Sequence, residues 1–562
     1  MTSIHNIRGW MKLSLLSITV FSGSLHAATA VAQDEPQGVD RPLVTFAVAS
    51  YERISGGIET IFAAADRPEL ANLVDGFIAN VGDLKGWDRE RPFGAMVLLN
   101  PGIAPEPVVV GFAPVSNWET VLASYTSGIF RIQPSPDHAD RYELIMPEGN
   151  KLLLRVVGDY AYFSKKPETL NREFVSPSRW LAKSAERYDA WSTVHFHHVP
   201  EGLRTVVIDY IRASSQQQLT QRDGESDARF EGRKIGTEAA IDWFELTATD
   251  GETLTAGWQI DPETRAFSAE AVLTAKDGTG LAASLNSMGS QPDRFAPLSP
   301  AGTPFQLSTS WVMGDSIASM LQHAFDVGYE NGREKGREKP LEWSVIESVH
   351  SLMKATVADR HINQVVRIVG HPPAQFNLIG AMHFSGNGDL DAAMQSVYAA
   401  IVAGNDVATI EVKADTHQGI EIHKLKPIRY QEAAVLLYGK EAALYVAKVG
   451  DDLWYSFGGS KALEELKSSI DRVTAAAGGM SPEAEGRILE LSFDLASWLT
   501  FIPQANPNVS QTARQAFAAG GDGLGVRLQQ ITNGTQFRLT LGKGYLRLVG
   551  LLIAGAIDER RN

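Results

Sequence analysis

Apolar and polar side chains alternate along YELIMPEG (142–149), KLLLRVVGDYAYFS (151–164), GIEIHKLKP (419–427) and AALYVAKVGDDLWYS (442–456). A period of two is the signature of a strand with one covered and one wet face. Short turns such as Pro147-Glu148-Gly149 and Asp277-Gly278 separate neighbouring strands, and so short a connection demands antiparallel pairing. Other stretches follow the three-four spacing of an amphipathic helix, among them Leu70, Leu73, Val74, Phe77 and Ile78, and later Val345, Val349, Leu352 and Met353. These patterns predict an α+β fold, a mainly antiparallel sheet covered by helices.

The same order of elements occurs twice. TFAVASYERISGGIETIF, an amphipathic helix, GAMVLLNPG, PVVVGFAPV, the helix NWETVLASY and the hairpin ending in VGDYAYFS (157–164) make up the first pass. QLSTSWVMGDSIASMLQHAF, a helix, INQVVRIVG, QFNLIGAMHFS, the helix DLDAAMQSVY and the hairpin ending in VGDDLWYS (449–456) make up the second. Asn117 and Asp389 each stand just ahead of a helical pattern, where a short polar side chain accepts the first unpaired backbone N–H groups. A β-rich part follows each unit. TVHFHHV (193–199) parallels LELSFDL (489–495), with Tyr329–Lys339 and 212–237 read as insertions. The expectation is two tandem units, 43–292 and 305–558, each closed around its own apolar interior. A proline-rich join at 293–304 would link them and a short tail, 559–562, would follow.

Arg8 and Lys12, the apolar run Leu13–Leu25 and the small residues Ala30-Val31-Ala32 have the three parts of a secretory signal peptide, 1–32. Residues 33–42 would then be a disordered mature N-terminus, and the protein would be exported, periplasmic or extracellular. Without Arg8 and Lys12 the net charge moves from −15 to −17. So acidic a chain repels phosphate backbones, which excludes nucleic acid as a partner. The chain has no cysteine, so no disulfide holds it together. Leu546–Ile557, the longest later apolar run, is broken by Arg547 and is too short to span a membrane.

Candidate chemistry is sparse. Gly314-Asp315-Ser316 follows a strand and resembles the GDS block of GDSL-type esterases, which implies Ser316 as nucleophile; the competing reading makes Asp315 or Ser316 a helix cap. Those esterases carry a D-x-x-H block near the C-terminus, whereas the last histidine here is His423. A strand through TVHFHHV sets His195 and His197 on one face and His198 on the other, two ligands toward a metal site or a plain polar edge. Tyr160, Tyr162 and Phe163, with Trp454 and Tyr455 in the second pass, are read as sheet packing or, alternatively, as the wall of a binding groove. Glycine clusters at 385–389 and 520–525 lack the ending of a phosphate loop and read as turns.

NWETVLASY followed by a hairpin ending in VGDYAYFSKKPETL, behind a signal peptide, resembles uncharacterised exported bacterial proteins with repeated α+β units. That resemblance brings no catalytic residues. The leading expectation is an exported, non-catalytic protein that needs no cofactor and binds another envelope or secreted macromolecule. The alternatives are an extracytoplasmic hydrolase, metal-assisted through His195 and His197, and a structural cell-surface component.

Overall fold

The computed structural model of the chain describes residues 41–561 except 73–75, 77–82, 101–105, 128–129, 147–148, 299–302, 337–339, 371–374, 385–388, 405–407, 477–485 and 500–506. The expected signal peptide, most of the helix expected over Leu70–Ile78 and the middle of the proline-rich join lie outside the described residues.

Among the described residues, twenty antiparallel strands form one sheet. The first ten are β1 (Val44–Val48), β2 (Phe93–Asn100), β3 (Glu106–Pro114), β4 (Arg131–Pro134), β5 (Tyr142–Ile145), β6 (Lys151–Val157), β7 (Tyr160–Ser164), β8 (Ala190–His195), β9 (Gly251–Asp261) and β10 (Ala266–Ala275). The second ten are β11 (Phe305–Val312), β12 (His361–Val369), β13 (Asn377–His383), β14 (Ala408–His417), β15 (Ile420–Pro427), β16 (Ala443–Val449), β17 (Asp452–Gly458), β18 (Arg487–Asp494), β19 (Gly523–Ile531) and β20 (Gly534–Leu541). In space the first ten run β4-β5-β6-β7-β3-β2-β1-β8-β9-β10. The second ten run β14-β15-β16-β17-β13-β12-β11-β18-β19-β20. β10 and β20 pair at the centre, joining the two sets into one sheet with β4 and β14 at its ends. Both end strands carry charge, and β14 is bulged between Glu411 and Asp415, which discourages further pairing.

Alternation decides which face each strand buries. β17 shows it most plainly, with Trp454 and Ser456 buried and Leu453 and Tyr455 half-exposed. On the front face, Phe174, Trp180 and Leu181 cover the first wing over Phe112, Tyr160, Tyr162 and Trp191. Phe295, Leu298 and the helix Ala462–Ala476 cover the second wing over Val365, Ala381 and Trp454. Further helices, Trp118–Ser124 and Leu390–Gly404 among them, take the back face. Their starts follow the capping chemistry of the sequence: Asn117 Oδ1 accepts from Thr120 N at 2.9 Å and Asp389 Oδ1 from Ala392 N at 2.8 Å.

Two expectations are corrected, and a third segment gains its structure. The part after β8 is helical as well as β-rich, with helices Glu201–Ser215 and Asp227–Asp250 between β8 and β9. Tyr329–Gly336, the described part of the expected insertion Tyr329–Lys339, is the end of the helix Asp315–Gly336. The two strand sets do not keep separate interiors, because the last helix, Lys543–Arg561, crosses to the first helix, Tyr51–Ala64. There Ala554 packs with Phe62 and Leu70, and Arg67 holds Asp558 in a two-pronged contact at 2.8 and 3.2 Å. In return the helix Gly280–Met288 lies on β19 and β20, where Asn286 donates to the Asn533 side chain at 2.9 Å.

Candidate functional site

Cross-strand register brings one row of front-face residues into line across the sheet. It reads Tyr162, Phe112, Gly94, Ala47, Trp191, Gly257, Glu270, Arg538, Arg527, Glu490, Ser308, Val365, Ala381, Trp454. The wings of the row are largely apolar and covered. Its centre is a run of four charged side chains on four neighbouring strands. The alternation that produces it is regular: β19 turns Leu524, Val526 and Leu528 to the back and Arg527 and Gln529 to the front. β20 likewise sends Phe537, Leu539 and Leu541 back and Gln536, Arg538 and Thr540 forward.

Glu270 is the buried anchor of this centre, 8% exposed. Its carboxylate accepts from Arg538 Nε at 2.6 Å, from the Tyr188 hydroxyl at 3.0 Å and from Gln536 Nε2 at 3.2 Å, and it pairs with Arg187. Gly257 makes room for this: a Cβ there would lie 2.6 Å from the Tyr188 ring, so only glycine lets that ring lie on the sheet and reach Glu270. Burial, and secondarily the Glu270 charge, push the Tyr188 hydroxyl well above the ordinary tyrosine range, keeping it a donor.

On the far side Glu490 accepts from Arg527 at 2.6 Å and forms an ion pair with Arg487 at 2.6 Å, and Arg487 also faces Asp293 at 3.8 Å. Burial pushes the Asp293 carboxyl above the usual range. Between the two glutamates, Arg527 and Arg538 stand directly opposite one another, 45% and 51% exposed. Like charges at one cross-strand position repel, and each guanidinium has donors beyond those its glutamate uses. The two line a cavity of about 290 Å³ with Ser492, Gln529, Gln536 and Thr540. Four guanidiniums (Arg187, Arg487, Arg527, Arg538) meet three carboxylates (Glu270, Glu490, Asp293), a local cationic surplus on a chain of net charge −15.

The aromatic candidates flank this centre in the interior. Tyr160, Tyr162 and Trp454 are at most 1% exposed. The Tyr160 hydroxyl donates to Pro92 O at 3.0 Å, Tyr162 stacks on Phe174 with ring centroids 4.0 Å apart, and Trp454 meets Phe295 edge-on at 5.6 Å. These three pack the wings, and no groove wall is made of them. Tyr455 lies on the back face, its ring over Gly380.

The strand does not run through TVHFHHV. β8 ends at His195, and Phe196–His198 is a 3-10 turn, because the Phe196 ring is drawn into the cluster of Trp243, Leu246, Leu254 and Leu273. The expected split, with His198 on the opposite face, is therefore replaced by a cluster: one ring nitrogen from each of His195, His197 and His198 lies within 4.8 Å of the others.

Ser316 is exposed, on a cavity of about 490 Å³ lined by Trp243, Leu246, Met288 and Trp311. His361, whose Nδ1 lies 3.0 Å from Asp359, is the histidine nearest in register. Alternation puts it on the front face with Asn363 and Val365, whereas Trp311 and Ile317 line the back, so this base and Ser316 are on opposite faces of the sheet. Asp315 opens the helix and pairs with Arg360. A third cavity, about 420 Å³ and almost wholly apolar, lies behind the first wing among Trp87, Phe93, Tyr125, Phe130 and Phe163.

The central charged row was not singled out from the sequence. Its one local signal is the polar register Gln529, Arg527 and Gln536, Arg538, Thr540 on strands whose other register is apolar. Compared with family models, curated proteins and solved structures, the chain has no match.

Proposed function

We propose that the chain is an exported, non-catalytic binding protein in which two copies of a ten-strand unit are joined edge to edge, and that the seam binds an anionic group of another envelope or secreted macromolecule. One observation carries the binding reading: Arg527 and Arg538 face each other, half-exposed, in the polar cavity on the central strands, between the covered wings. A carboxylate or phosphate lying between two guanidiniums takes charge-assisted hydrogen bonds from both and relieves their repulsion. Fixed glutamates on either side keep the arginines extended before the ligand arrives, which lowers the ordering cost of binding.

The duplication is supported by counting strands outward from Glu270 and Arg538. Six steps one way reach Tyr162, and six steps the other way reach Trp454. These are the sixth residues of VGDYAYFS and VGDDLWYS, so spatial and sequence correspondence coincide. The seam has diverged between copies, with Trp191 and Gly257 on one side opposite Glu490 and Arg527 on the other. The N-terminal pattern supports export, and the separation of Ser316 from His361 favours binding over hydrolysis.

Calorimetric titration of the mature chain at low salt, with pyrophosphate and with a short oligogalacturonate, tests this reading. One saturable site is expected for at least one of the two. Arg527→Gln and Arg538→Gln should each weaken it by about 1.5–3 kcal/mol, roughly ten- to a hundredfold. Absence of saturable binding to either probe, or affinity indifferent to both substitutions, overturns the proposal.

A further inference from the structure

We propose that His195, His197 and His198 form a binding site for a divalent transition-metal ion of the zinc class. The geometry starts from the 3-10 turn that ends β8, which folds the second and third imidazoles back beside the first. Ring centroids stand 4.0 Å apart for His197 and His198, 4.9 Å for His195 and His198, and 5.9 Å for His195 and His197. His195 is 4% exposed, and the other two are half-buried.

Two backbone contacts orient the half-buried rings. His197 Nδ1 lies 3.0 Å from Glu252 O, and His198 Nδ1 lies 2.7 Å from Pro42 O. A carbonyl oxygen only accepts, so each Nδ1 carries the hydrogen and donates it. That fixes the tautomer and makes Nε2 the lone-pair atom of both rings. A carbonyl receiving the Nδ1 hydrogen while Nε2 binds metal is the usual outer support of histidine ligands, and it raises the basicity of the ligating nitrogen.

Zinc bound by imidazoles at 2.0–2.1 Å holds its nitrogens about 3.3 Å apart in a tetrahedron. One ring nitrogen of each histidine already lies within 4.8 Å of the others, and ring rotations that close on the order of 1.5 Å reach the tetrahedral spacing. Three protein ligands leave a fourth position for water or for a side chain of a binding partner. All three ligands come from the one turn that ends β8, and the Nδ1 hydrogen bonds of two of them reach Pro42 and Glu252, so the ion would hold rings that are already tied to two other stretches of chain.

In the second strand set the register that matches Trp191 with Glu490 sets Asp494, Ala496 and Ser497 at the places of the three histidines, so the site belongs to the first set only. It lies apart from the arginine row and depends on none of its residues.

Zinc competition against a chromophoric chelator, on untagged and metal-stripped mature protein, is the test. One Zn²⁺ per chain is expected, and the Co²⁺ form should show visible ligand-field absorption. His197→Asn and His198→Asn keep a donor where Nδ1 stood and delete Nε2. Each should lose zinc affinity at least about tenfold and lose the Co²⁺ band, while the metal-free melting temperature and circular dichroism stay as in the parent. His195 is left untouched because its burial makes a folding defect the trivial result. Zinc binding no stronger in the parent than in the doubly substituted chain, or loss of binding only together with loss of the fold, overturns the assignment.

Discussion

Replacing Glu270 by glutamine removes one charge from the seam and almost no volume. In the parent, the carboxylate takes a 2.6 Å bond from Arg538, a 3.0 Å bond from the Tyr188 hydroxyl and a 3.2 Å bond from Gln536, and it pairs with Arg187. Breaking a fully buried ion pair costs about 3–5 kcal/mol. Here the carboxylate is buried but Arg187 and Arg538 are 30% and 51% exposed, so water recovers part of the loss. The expected destabilisation of Glu270→Gln is therefore about 1.5–3 kcal/mol, the range of hydrogen bonds to a charged group. Anion affinity should move the other way. At an effective dielectric near 20, a negative charge several ångströms from a bound anion disfavours it by about 1 kcal/mol after screening, so its removal tightens binding roughly fivefold. Urea unfolding followed by circular dichroism measures the first effect as a lower midpoint at unchanged slope. Titration with pyrophosphate measures the second. An unchanged midpoint would show that Glu270 does not hold the arginines in the way described, and weaker anion binding would show that its hold on Arg538 outweighs its repulsion of the anion.

Gly257→Ala drives a methyl into the Tyr188 ring, and overpacking of this kind should cost about 1–3 kcal/mol in the same unfolding assay. Trp454→Ala empties a site that is 1% exposed, with an expected loss of about 3–5 kcal/mol; a loss below 1 kcal/mol would be at odds with an interior role. Lys467 holds the Asp415 carboxyl below the usual range through a 2.7 Å contact that ties the end strand β14 to the helix Ala462–Ala476. A depressed folded-state value means this stabilisation is complete above the unfolded value of about 3.9 and fades as pH falls through the depressed one. Hydrogen-exchange protection across β14, after correction for the intrinsic rate, should accordingly fall on acidification below about pH 4, and Lys467→Met should remove that pH dependence at Asp415.

Local chemistry was legible because it is written in short spacing. The period of two in β5, β6, β15, β16 and β17, and the caps Asn117 and Asp389, need only a few residues to declare themselves, and each is found where it was expected. The helices Glu201–Ser215 and Asp227–Asp250 were harder to see. Their faces mix exposed Val206, Val207 and Tyr210 with polar residues, and Gly232 and Gly236 interrupt the second, so no clean apolar stripe marks them. The histidine cluster was missed as a cluster because Phe196 ends the strand by turning into the cluster around Trp243 and Leu254, far away in sequence. The charged row was invisible for a similar reason: Glu270, Arg538, Arg527 and Glu490 meet only through the registers of three different strand pairings, and a slip of one residue in any of them would send a side chain to the other face.

The most direct measurement is anomalous diffraction from crystals of the mature chain soaked in tungstate, a heavy tetrahedral dianion. A peak between the guanidiniums of Arg527 and Arg538, absent from Arg527→Gln/Arg538→Gln crystals, is the expected result. Density that bypasses this seam while occupying other sites on the molecule, or a seam that stays empty at saturating tungstate, would contradict an anion site there.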